Sequence, residues 1–181
     1  MSAAMSRKEF IKYFRGTVGQ LLIPLDRALT SVPEFQSWPR AKQMLFNEFV
    51  VIAMHFAGAE DKIGGGEVEL IWDIHAALEQ TGKTGTSSRH RPQLRKLLQQ
   101  LYRESQKSYE VDSLPRSIQA LQIYDAQNGT SYAEEVRTMY FRLASFVIKA
   151  DRRLKKEEER RLSAFKEVLW SPDHPKVDTQ Q

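Results

Sequence analysis

Residues 52–67 read IAMHFAGAEDKIGGGE, and residues 143–158 read LASFVIKADRRLKKEE. The two stretches repeat the same order of residue classes at a constant offset of 91. Ile52 matches Leu143, Ala53 matches Ala144, Phe56 matches Val147, and Ala59 matches Ala150. Glu60 matches Asp151, Ile63 matches Leu154, and Glu67 matches Glu158. Ile71 with Leu162 and Ile74 with Phe165 extend the register. Self-similarity at fixed spacing marks a repeated supersecondary unit. In each copy an apolar helix ends, an acidic residue enters the turn and one aliphatic side chain plugs back into the core. A second helix then begins, with glutamate at its third position. A carboxylate there can accept free backbone N–H groups and meet the positive end of the helix dipole. The copies span about 40–80 and 131–170.

The flanking sequence is helical as well. Phe10, Phe14, Val18, Leu21, Leu22 and Leu25 recur at three- and four-residue steps and define one apolar stripe. Pro24 is predicted to kink that helix or end it near Leu22. Ser37-Trp38-Pro39 reads as a helix start, with proline tolerated in the first turn, and the helix runs from about Arg40 to Ala59. Gly64-Gly65-Gly66 breaks the chain before a helix from Glu67 to about Gln80. Residues 81–88 read as a flexible Gly/Ser/Thr loop. A helix opening at Pro92 presents Leu94, Leu97, Leu98 and Leu101, and residues 105–115 connect onward. A helix bearing Leu114, Ile118, Leu121 and Tyr124 stops at Asn128-Gly129. Helices from about 131 to 150 and 155 to 170 complete the set. Val50-Val51-Ile52 is strand-like only in isolation, because it lies inside a helical pattern. The expectation is an all-α bundle of about seven helices forming a single domain over 1–172, with a disordered tail at 173–181.

Composition narrows the functional classes. Hydrophobic residues make up 41% of the 181 and charged residues 28%, as in a globular chain with a genuine core. The absence of cysteine removes disulfides, thiolate zinc sites and thiol nucleophiles together. No apolar run approaches the roughly 20 residues that span a bilayer. The run from Phe46 to Ala59 is broken by Asn47, Glu48 and His55. Met1 to Arg7 lacks the apolar stretch of a secretory signal, so a soluble, cytoplasmic protein is expected. The net charge of +4 permits weak attraction to polyanions without specifying one.

At its acidic turns the sequence resembles the TerB-like family, the tellurite-resistance-associated helical domains. The family signature is an alanine–aspartate–glycine-like turn, then an aliphatic residue, then a glutamate four further on. Ala150-Asp151, Leu154 and Glu158 follow it, with Arg152 in place of glycine. Ala59-Glu60, Ile63 and Glu67 follow it more loosely, with Glu60 for aspartate and Asp61 for glycine. The resemblance implies a helical bundle without established catalytic chemistry. It also implies a divalent-cation site at the acidic turns and a role as a binding or scaffold module in a bacterial stress-response or envelope-linked protein complex.

Glu60, Asp61, Glu67, Asp151 and Glu158 are accordingly the candidate metal ligands, and Ca²⁺ or Mg²⁺ the candidate ion, since hard cations take several oxygen ligands. The competing reading is that these acids cap helices and fix turns. The loop is not an EF-hand, because Lys62 and Gly64 stand where oxygen ligands would be needed. A second surface lies in the stretch 83–107, where seven Lys or Arg face the single acid Glu104. There Arg89, Arg91, Arg95 and Arg103 would contact phosphate in a nucleic-acid-associated protein; a solvated helix face explains them as simply. Gly82-Lys83-Thr84 imitates the end of a P-loop, but Ala77 replaces the earlier glycine and a helix precedes it. The four histidines show no ligand spacing, and no serine sits in a nucleophile elbow. A non-enzymatic protein-binding module is the leading expectation, with nucleic-acid association as the alternative.

Overall fold

A computed structural model describes residues 5–57, 65–79, 113–149 and 156–171, together with four isolated helical positions at 92, 93, 96 and 100. Among the described residues there are six α-helices and no strand. They are α1 (Arg7–Ser31), α2 (Ala41–Ala57), α3 (Gly65–Glu79), α4 (Arg116–Asn128), α5 (Tyr132–Lys149) and α6 (Lys156–Trp170). The helical, exposed positions Pro92, Gln93 and Lys96 fall where a helix was expected to open. The loop 81–88 and the tail 173–181 lie outside the described residues.

Helix α1 starts with a capping box. The Ser6 hydroxyl accepts from Glu9 N–H, and the Glu9 carboxylate accepts from Ser6 N–H at 2.7 Å. The expected end near Leu22 is not found, and α1 continues through Pro24 to Ser31. Proline deletes the bond to the Gln20 carbonyl, which lies on an exposed residue where water can take over. The turns beyond Pro24 bury Leu25, Ala28 and Leu29, and that packing outweighs the lost bond. Next comes a short 3₁₀ turn, Pro33–Phe35, which the sequence reading did not anticipate; it drops Phe35 into the core.

One continuous core joins all six helices. Phe10 stacks on Phe146 at 4.3 Å, and Phe14 meets Phe49 at the same separation, tying α1 to both α5 and α2. Helix α2 packs on α5, α5 on α4 and α6, and α1 on α3 and α4. Arg7 clamps α1 to α3 through Glu69 at 3.1 Å and Asp73 at 2.7 Å. Helix α4 ends where expected: Gly129 adopts φ 66°, and its N–H reaches the Asp125 carbonyl at 2.8 Å.

Helix α2 begins at Ala41 and α5 at Tyr132, positions related by the offset of 91. Matching positions share the core: Leu45 and Val136, Phe49 and Tyr140, Ile52 and Leu143, Phe56 and Val147 are all buried.

Candidate functional site

At the starts of α2, α4 and α5 a carboxylate from a neighbouring helix accepts backbone N–H groups. The first N–H groups of a helix have no partner within it, so a buried start must find acceptors. At α2, Ala41 N–H donates to Asp26 of α1 at 3.0 Å. At α5, Asp125 of α4 accepts from Tyr132 N–H at 3.0 Å, Ala133 N–H at 2.7 Å and the Thr130 hydroxyl at 2.6 Å. At α4 the residue before the helix is Pro115, which can offer no side-chain bond.

Glu48, reaching across from α2, supplies the α4 cap. Its Oε1 accepts from Ser117 N–H at 3.0 Å, and its Oε2 accepts from both the Ser117 and Tyr140 hydroxyls. The two hydroxyls also lie 3.0 Å apart. The backbone of Arg116 adds a further bond to the carboxylate. Desolvation pushes the Glu48 carboxyl above its ordinary pKa, and the converging donors pull it back only in part. Burial, with the Glu48 charge beside it, holds the Tyr140 phenol well above its usual range. A serine, a carboxylate and a phenol in mutual contact resemble catalytic chemistry on paper. Here the amide and hydroxyl donors of Ser117 and Tyr140 converge on one carboxylate, and together they join α2, α4 and α5 as a pin.

In the sequence Glu48 stands out only as an interruption of an apolar run. The signal was present: position 48 lies four residues from both Met44 and Ile52, which are buried, and so falls on the core-facing stripe.

Of the candidate metal ligands, Glu67 and Glu158 lie within the described residues. Both lie in the first described turn of their helices, and both are buried, at 5% and 6% exposure. Glu60, Asp61 and Asp151 lie outside the described residues, as do Arg89, Arg91, Arg95 and Arg103. Among the described residues no three His, Asp or Glu side chains group closely enough to hold a metal ion. His55 is half-buried, with its ring set edge-on to Phe56 at 5.0 Å. Trp170, 37% exposed, donates its indole N–H to Glu134 at 2.8 Å.

A cleft of about 230 Å³ opens between the last turns of α1, the 3₁₀ turn and the start of α2. Leu29, Phe35, Trp38 and Pro39 form its apolar walls, with Asp26, Thr30, Gln36 and Arg40 around them. The Phe35 and Trp38 rings lie 4.2 Å apart, and the Arg116 guanidinium stands 5.1 Å over the Trp38 ring.

No protein-family model, curated protein or solved structure matches the chain. The TerB-like resemblance therefore rests on the acidic-turn residues alone. No helix among the described residues is long and apolar enough to cross a membrane.

Proposed function

We propose that this protein is a non-enzymatic binding module built from a duplicated helix–acidic turn–helix unit of TerB-like type, working through contacts with a protein partner. The observation that carries the duplication is the ring contact between Phe49 and Tyr140, 5.4 Å apart and nearly perpendicular. These positions differ by the repeat offset of 91. Like residues meeting each other across an interface is the signature of an approximate twofold axis. The matching starts of α2 and α5 and the matched burial of Glu67 and Glu158 support the same reading. A binding role is favoured because the perturbed, half-buried carboxylate of Glu48 is committed to capping. In-cell cross-linking at native abundance tests it. A defined protein partner, joined in a species larger than the 20.9 kDa chain, is expected; a chain that cross-links to nothing refutes it.

A divalent-cation response belongs to this reading, carried by two carboxylates buried at matching positions. Saturating Ca²⁺ or Mg²⁺ is expected to raise the melting temperature of the wild type and not of the Glu67→Gln, Glu158→Gln double variant. Binding at a hundredfold excess over Kd would add about 2.7 kcal/mol. An unmoved wild-type melting curve excludes the cation.

A further inference from the structure

We infer that the cleft beside Trp38 receives an acidic peptide segment carrying one aliphatic or aromatic anchor side chain. The inference rests on the proposed protein-binding role and gives it a location and a partner chemistry. The walls formed by Leu29, Phe35 and Pro39 are apolar, and about 230 Å³ is space on the scale of one or two side chains. An anchor side chain filling a small desolvated pocket is the usual centre of a peptide interface.

Charge sets the partner's sign. Arg40 lines the cleft and Arg116 stands over the Trp38 ring, both exposed. Among the described residues neither is held by an ion pair, unlike Arg7, Arg137, Arg160 and Arg161. The one carboxylate at the cleft, Asp26, is engaged with Ala41 N–H through Oδ1. Two exposed guanidinium groups against the single Asp26 carboxylate leave the cleft a surplus of positive charge, complementary to carboxylates flanking an apolar side chain. Nucleic acid fits less well. Base stacking needs an available aromatic face, and the Trp38 ring already meets Phe35 and Arg116.

The test titrates the full-length, isotope-labelled protein with short peptides that place one leucine, tryptophan or alanine between glutamates. Leucine- and tryptophan-centred peptides are expected to shift the amide resonances of Leu29, Thr30, Gln36 and Trp38. The alanine-centred peptide should bind about ten-fold more weakly, as should the leucine-centred one to the Arg40→Glu, Arg116→Glu double variant. Both substitutions lie on exposed residues, so the helical signal and melting temperature should hold. Added salt should weaken binding. The inference is overturned if lysine-flanked peptides bind equally well, or if the charge-reversed protein keeps its affinity. It is also overturned if anionic lipid vesicles or single-stranded RNA outcompete every peptide at this cleft. A partner cross-linked in cells that leaves the Trp38 region unshifted overturns the cleft alone. The absence of any cross-linked partner overturns the binding role itself.

Discussion

Replacing Glu48 with alanine should be among the most damaging single changes to this fold. The substitution removes the acceptor for Ser117 N–H and for the Ser117 and Tyr140 hydroxyls. The hydroxyls can still bond each other across 3.0 Å, so one of the two protons keeps a partner. The Ser117 amide and the other hydroxyl proton are stranded, and both residues are fully buried. Each stranded donor costs about 1–3 kcal/mol, and relief of the carboxylate's own desolvation returns part of the sum, leaving roughly 3 kcal/mol. For a chain of this size that corresponds to a melting temperature about 6–12 °C lower. Glu48→Gln separates shape from charge. Its amide oxygen can accept from Ser117 N–H while its NH₂ donates to the hydroxyl oxygens, at a cost of roughly 1 kcal/mol. The pH dependence has a definite sign. Because the folded pKa is raised, the folded state holds a proton that the unfolded chain has released. Glu48's contribution to stability is therefore greatest below the unfolded value of 4.5 and falls as pH rises through the folded value. The stability of wild type relative to Glu48→Gln should decline over that interval, as read by circular dichroism melts of both proteins. An alanine variant melting within 2 °C or so of wild type would refute the pin, since about 3 kcal/mol cannot hide in so small a shift.

Asp125→Ala should destabilise by about 1–2 kcal/mol through loss of the α5 cap, seen as a lower urea midpoint at unchanged slope. Gly129→Ala should cost about 1 kcal/mol by melting temperature, wholly from the backbone at φ 66°, because an added Cβ would meet nothing within 4 Å. Arg7→Met should cost at most about 1 kcal/mol, and the loss should shrink in high salt, since the pair with Glu69 and Asp73 is partly exposed. Glu48→Met combined with Tyr140→Phe should be milder than the sum of the singles by about 1–2 kcal/mol, because each single strands what the other removes.

The helices were legible because each buries one stripe, and a stripe leaves its period in the sequence. Asn128-Gly129 was legible because a left-handed stop needs a residue of that kind. The continuation of α1 past Pro24 was not, because the deciding term is burial of Leu25, Ala28 and Leu29 against distant helices. The 3₁₀ turn at Pro33–Phe35 is too short to show a period. The Glu48 pin was hidden by distance: its partners Ser117 and Tyr140 lie 69 and 92 residues away, beyond any local pattern. The acidic turns were conspicuous, yet of their five carboxylates only Glu67 and Glu158 fall within the described residues, and there burial is the informative fact.

On the proposed duplication, the pin lies where the two halves differ most usefully. Position 48 holds glutamate in the first copy, and its counterpart is the fully buried Met139; position 49 holds phenylalanine, and its counterpart is Tyr140. The rings of Phe49 and Tyr140 preserve the symmetric contact, while the one added hydroxyl breaks the symmetry and meets the one added carboxylate. A half-buried carboxylate without donors would be costly, and the fully buried phenol without an acceptor would weaken the core. Together they are tolerated because α4, which begins after a proline that cannot cap it, needs an acceptor at that place. The asymmetry therefore fixes where α4 docks on an otherwise repetitive pair of helices, a choice that apolar packing alone, much the same in both copies, would leave weakly determined.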